Sequence, residues 1–331
     1  MIQDARGLLE VRDLRELIKN IARIYIEEED PPDPYPVIRF AGKTYRGYEI
    51  TGDNLKTFKP QPHWNRVAAI DASVKVLFNC GSYKILVSKV AWGFWRGYFR
   101  EKTGIFPIRT KIVWDKVEAA EWLLKIELEA ALKVLEELEA DDILLLDRSL
   151  AVIPVFKKKT RLLMEELARK AGNKDVILAG IVKSSKLKLN TGGSLIGHLI
   201  YLAALEGVEE PWYYYPLFDT LPTWYYGDIV VAKLDPYADE AFRIDVSFYS
   251  LIGRRIREVL GKIAYTQDPA TPGYPYPLIS VHKLSLFADE ELERIREKVS
   301  AFLQDAGVLN KFMKTVRSST FKERKLWGIT G

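Results

Sequence analysis

An α/β fold is predicted: a ribonuclease H-like mixed sheet flanked by helices, with an N-terminal helix and C-terminal extensions. Three observations in the 331 residues predict it. Short apolar runs of strand length occur, such as Val67-Ala68-Ala69-Ile70 and Ile143-Leu144-Leu145-Leu146. Apolar residues recur at helical spacing through 115–140, where Val117, Ala120, Leu124, Leu128, Ala131, Leu135 and Leu138 make one stripe. The segments also follow in the order strand, strand, strand, helix, strand, helix, strand. That order describes three antiparallel strands followed by strands joined through helical crossovers.

Residues 7–26 read as an amphipathic helix, with Leu8, Val11, Leu14, Ile18, Ile21 and Tyr25 on one stripe. The acidic run 27–30 and Pro31, Pro32, Pro34 and Pro36 end it. The chain divides there, into a helix with a Pro-rich linker at 1–36 and one nuclease-like domain with insertions at 37–331. A hairpin is expected at 37–50, turning near Gly42-Lys43. Strands follow at 67–73, 82–90 and 105–113, then the long helix 115–140 and a strand at 142–147. A helix at 158–171 leads to a strand at 175–182. Beyond it we expect a helix at 194–206, an aromatic loop at 211–226 and strands at 228–234 and 241–247. A helix at 251–264, a Pro-rich loop at 268–277, a strand at 278–285 and a helix at 288–304 complete the chain.

Apolar residues are 48% of the chain and charged ones 28%, a composition able to bury a large core. The 49 basic and 45 acidic residues nearly cancel, which argues against a simple polybasic binder but permits local basic patches. Asp4, Arg6, Glu10 and Arg12 break up the start, so no signal peptide is read, and no apolar run is long enough to span a membrane. The expected location is the cytoplasm. Scarce cysteine and methionine with abundant charge are features of thermophile proteins. Cys80 is the single cysteine, which excludes an internal disulfide and a Cys-rich metal site. None of His63, His198 and His282 has a second histidine or cysteine at ligand spacing. Oxygen ligands, and hence magnesium or manganese, are favoured over zinc.

Three acidic residues stand out. Asp71 ends the run 67–70, and Asp147 ends the run 143–146. Glu127 lies on the flank of the long helix's apolar stripe, whereas Glu129 falls on the opposite, polar face. A carboxylate in such a position is costly to bury without a partner. Alone, each has a plainer reading: a turn contact, a lysine pair or a cap. Together they describe strand-end carboxylates joined by one from the covering helix, the convergence that a two-metal phosphodiesterase needs. Two cations about 3.5–4 Å apart stabilise both the attacking and the leaving oxygen.

Four motifs carry a family resemblance: Ala69-Ile70-Asp71-Ala72-Ser73; Leu144-Leu145-Leu146-Asp147-Arg148-Ser149-Leu150; Val182-Lys183-Ser184-Ser185; and Gly273-Tyr274-Pro275-Tyr276-Pro277-Leu278-Ile279 followed by His282. In their order and spacing the sequence resembles the NurA family of archaeal DNA-end-processing nucleases. The resemblance implies a manganese-dependent DNA nuclease, with magnesium as a second possibility. It implies 5′-to-3′ exonuclease and single-strand endonuclease activity, used for end resection in recombinational double-strand-break repair. It also implies a homodimer and a hexameric HerA helicase-translocase partner. Carried over by position, the metal ligands are Asp71, Glu127, Asp147 and His282. Tyr274 completes the catalytic set, with Tyr276 an alternative. Glycine usually follows both motif aspartates in the family; here Ala72 and Arg148 do, and Arg148 becomes a candidate phosphate contact.

Lys183 ends an apolar run near where Asp71 and Asp147 should emerge, and Lys186 and Lys188 extend it. Such lysines can neutralise DNA phosphates, with a solvated loop as the competing reading. The cluster Lys157-Lys158-Lys159-Thr160-Arg161 reads as a solvated helix start. Trp92, Phe94, Trp95, Tyr98 and Phe99 form one aromatic group, and Trp212 to Tyr215 with Phe218 and Trp224 to Tyr226 form another. Most are expected in the core or an interface, with one or two stacking on bases. Thr191-Gly192-Gly193-Ser194 lacks the Gly-Lys-Ser/Thr ending of a P-loop, so no ATPase is read. Two other functional classes compete: a non-catalytic module of this fold that binds nucleic acid or a partner, and a resolvase- or transposase-like strand-transfer enzyme.

Overall fold

The computed structural model describes residues 16–19, 33–268 and 270–317. The helix expected at 7–26 lies almost wholly outside them; of it, residues 16–19 are helical and exposed. The hairpin is present as β1 (Pro36–Phe40) and β2 (Lys43–Arg46), followed by the short β3 (Leu55–Thr57). Two long antiparallel strands come next, β4 (Arg66–Asn79) and β5 (Lys84–Arg96). The strand expected at 105–113 is instead two, β6 (Phe99–Ile105) and β7 (Arg109–Val113), both paired along the same edge of β5. Pro107 sits between them; having no N–H, it cannot carry the ladder through.

The long helix α1 (Lys116–Glu136) crosses to β8 (Ile143–Leu146), and α2 (Lys158–Asn173) crosses to β9 (Ile177–Val182). β8 runs parallel to both β4 and β9. The order β6/β7, β5, β4, β8, β9 is the ribonuclease H-like arrangement that the sequence predicts. After the short β10 (Lys188–Leu189) and α3 (Leu195–Leu205), three antiparallel strands widen the sheet to ten: β11 (Trp212–Tyr214), β12 (Gly227–Lys233) and β13 (Phe242–Ser247). Trp212, Tyr213 and Tyr214, expected in a loop, thus form a buried strand between β3 and β12.

The C-terminal third holds the main departure. Helix α4 begins only at Ile256 and ends at Tyr265. A small hairpin follows, β14 (Gln267–Asp268) and β15 (Thr271–Pro275). The strand expected at 278–285 is instead helix α5 (Tyr276–Ser285). A short apolar run cannot distinguish the two by composition. Pro277 in the first turn is pre-organised for a helix, and Leu278, Val281 and Ser285 are buried at helical spacing. Helices α6 (Asp289–Asp305) and α7 (Leu309–Met313) close the described chain, covering the far end of the β4–β5 hairpin with Phe287, Leu292 and Phe312.

Side-chain alternation along the central strands sorts the core into two layers. Val67, Ala69, Ile143 and Leu145 point to one face, beneath α4 and α5. Ala68, Ile70, Leu144 and Leu146 point to the other, beneath α1 and α2. Phe94 and Trp95 are fully buried, one in each layer, whereas Tyr98 and Phe99 are exposed. Among the described residues no helix is long and apolar enough to cross a membrane.

Candidate metal centre

Strand register brings the first two carboxylates together. β4 and β8 pair in parallel from Val67 opposite Ile143 to Ile70 opposite Leu146. The next position on each chain is Asp71 and Asp147. Both have the parity of the layer beneath α5, and α5 supplies the third group. His282 Nδ1 lies 2.8 Å from Asp71 Oδ2. Asp71, Asp147 and His282 each place a donor atom within 4.8 Å of the others.

Further contacts fix these donors. Asp71 Oδ1 accepts the Ala72 N–H at 2.8 Å, and Ser285 Oγ donates to Asp71 Oδ2 at 2.9 Å. The buried Tyr274 donates its hydroxyl to Asp147 Oδ1 at 2.9 Å, while Lys183 Nζ meets Asp147 Oδ2 at 2.5 Å. Burial and the negative charge of Asp147 push the Tyr274 hydroxyl far above its ordinary range, so it remains a donor. Tyr274 follows Gly273, whose φ of +93° suits glycine and at which a Cβ would meet Ala238 Cβ at 2.5 Å. Tyr276 instead packs against Trp95 in the core, so of the two tyrosines only Tyr274 touches the acidic cluster.

Glu127 approaches from the other side of the sheet. It is 2% exposed on α1, and Arg148 Nε stands 3.0 Å from its Oε2. Its other oxygen, Oε1, is buried without a hydrogen-bond partner. Glu129 lies on the outer face, paired with Arg109 and Lys125. Lys186 is exposed on the loop after β9, away from any contact that would join it to the cluster.

The loop carrying Asp147 and Arg148 is held from below. Leu150 N–H donates to Asp245 Oδ2 at 2.9 Å, and Asp245 is clamped by Arg243 through Nε at 2.6 Å and Nη2 at 2.8 Å. A Cβ at Gly180 would lie 2.1 Å from the Arg148 carbonyl oxygen, so β9 can approach the loop only without a side chain. Ser285 and Asp245 are site-building residues that sequence reasoning missed. A lone carboxylate in the apolar strand 242–246 was the available signal for Asp245; for Ser285 there was none.

This donor set fits a divalent cation. Two carboxylates and an imidazole are ligands for manganese or magnesium, and Glu127 leaves a buried oxygen unpartnered beside them. Burial, with the neighbouring charges of Asp71 and Asp147, pushes the Glu127 carboxyl up to about 8 against the opposing pull of Arg148. A carboxyl raised on folding contributes stability that is fully present below its unfolded value of ~4.3 and lost as pH rises through its folded value. In EDTA, therefore, the melting temperature should fall between pH 5 and 8, and Glu127→Gln should flatten that slope. An unchanged slope in the variant would show that Glu127 does not cause it.

No protein-family model matches the sequence, and no curated protein matches it either. Solved structures do. The crystal structure of the NurA nuclease from Sulfolobus solfataricus superposes with a TM-score of 0.55 at 14% identity, covering 92% of this chain and 98% of that one. A second NurA crystal structure gives a TM-score of 0.51 at 10% identity, covering 73% and 90%. The chain therefore has the fold of the NurA structures.

Proposed function

We propose that this protein is a divalent-metal-dependent deoxyribonuclease that processes DNA ends. The observation that carries the reading is the meeting of Asp71, Asp147 and His282 at the ends of adjacent parallel strands of a NurA-like sheet. Asp71, Asp147 and His282 would hold the cation, with Glu127 beside them. When bound, the cation supplies Lewis-acid polarisation of the phosphate and acidifies water.

The chain's own residues do the rest. Tyr274 and Ser285 orient the two aspartates. Lys183, poised on Asp147 and 40% exposed, is placed to meet a DNA phosphate. Hydrolysis joins a water oxygen to phosphorus and breaks one ester P–O bond. The leaving oxygen gains one proton, and the second water proton goes to solvent. Lys186, exposed on the neighbouring loop, extends the basic path.

Finer features rest on the sequence resemblance. They are manganese as the preferred ion, 5′-to-3′ exonuclease and single-strand endonuclease activity, resection at double-strand breaks in the cytoplasm, a homodimer, and a HerA partner that supplies ATP-driven translocation. The resemblance likewise supports the division into an N-terminal helical segment at 1–36 and a nuclease domain at 37–331.

The test is digestion of end-labelled single-stranded and blunt duplex DNA in manganese, magnesium or EDTA. Cleavage with either ion and none in EDTA is expected; cleavage unaffected by EDTA would overturn the reading. Glu129→Ala should leave the rate within about twofold, because surface ion pairs contribute little, whereas Glu127→Ala should abolish it. The reverse pattern would place the wrong face of α1 at the site.

A further inference from the structure

Parity along β8 separates the charged groups after it. Asp147 continues the layer of Ile143 and Leu145, beneath α5. Arg148 continues that of Leu144 and Leu146, beneath α1. Glu127, on α1, therefore meets Arg148 and stands outside the group formed by Asp71, Asp147 and His282. Both side chains are withdrawn from solvent, at 23% and 3% exposure.

Resting on the nuclease reading above, we propose that the centre takes one divalent cation per chain, and that the Arg148 guanidinium is its permanent second positive charge on the scissile phosphate. Three features carry this. The donors that cluster are sufficient for one ion and exclude Glu127. Arg148 already occupies the carboxylate that a second ion would need. Its contact through Nε lacks hydrogen-bond geometry, so the guanidinium is held ionically, and the paired terminal nitrogens are the part of arginine that matches phosphate oxygens.

Lys183 is the other cation nearby, but it sits on Asp147, a member of the donor group, and competes with the ion there. Arg148 sits on Glu127 and is compatible with a loaded centre. Charge then balances during hydrolysis. Water adds to phosphorus, one P–O ester bond breaks, and the negative charge of the transition state lies between the divalent ion and Arg148. The leaving oxygen takes a proton, and the other water proton leaves to solvent.

The experiment counts bound Mn²⁺ by electron paramagnetic resonance of the free ion, on the full chain and on Arg148→Gln and Arg148→Lys. Single-turnover cleavage is measured on the same samples. One Mn²⁺ per wild-type chain is expected. Arg148→Gln should bind a second, weaker ion through the freed Glu127, keep its first site within about threefold, and cleave ~10²-fold more slowly, the scale of losing one transition-state donor. Arg148→Lys should keep one ion and recover part of the rate. Should Arg148→Gln fail to fold, the wild-type and Arg148→Lys counts decide. Two ions per wild-type chain with cleavage intact overturns this proposal and leaves the nuclease reading standing. Wild-type rates in Arg148→Gln overturn it as well. No bound Mn²⁺ and no cleavage overturns both.

Discussion

Asp147→Asn is expected to lower DNA cleavage at least ~10³-fold, because a catalytic cation contributes several kcal/mol to the transition state and each ~1.4 kcal/mol is a factor of ten. The substitution keeps the shape of the side chain. Its amide oxygen can still accept the Tyr274 hydroxyl that Asp147 Oδ1 accepts now. It removes one of three carboxylates crowded together, and with it the Lys183 ion pair, which is partly solvated. The folded state should therefore persist, melting within a few degrees of the wild type in EDTA. Asp71→Asn should behave in the same way. A variant that cleaves at a tenth of the wild-type rate or better would remove Asp147 from the chemistry.

The largest expected loss of stability belongs to Asp245→Ala. Asp245 is wholly buried and holds two groups at once, the Arg243 guanidinium and the Leu150 N–H. Deleting it leaves a buried cation unpaired and a backbone donor unsatisfied. Breaking a buried pair from one side costs about 3–5 kcal/mol, a large part of the stability of most domains. Urea denaturation should show that loss as a lower midpoint, and activity should fall with it because the Asp147–Arg148 loop loses its floor. A change below ~1 kcal/mol would show that Arg243 finds another partner, such as the Tyr225 ring its guanidinium already overlies at 5.4 Å.

Much of the sheet was legible because its central strands are apolar runs of the right length and its crossover helices carry a clear 3.6-residue period. Asp71 and Asp147 were legible for the same reason, as charges that end such runs. Helix phase placed Glu127 inward and Glu129 outward, and the structure has them so. Pairings between distant segments were not legible. His282 and Ser285 reach Asp71 across more than 200 residues, and local composition around 278–285 suits a strand as well as a helix. Nor could sequence parity alone show that Arg148 would face Glu127, since that depends on which layer covers each side of β8. The edge strand β11 was hidden in an aromatic stretch whose loop-like flanks, Pro211 and Pro216, masked three residues of strong strand preference.

A crystal of the protein soaked in MnCl₂, with anomalous scattering recorded at the manganese edge, is the most direct test of the centre. A peak bounded by Asp71, Asp147 and His282, and absent from Asp147→Asn crystals, is the predicted result. No peak at these residues, in crystals whose protein cleaves DNA with Mn²⁺, would contradict the site.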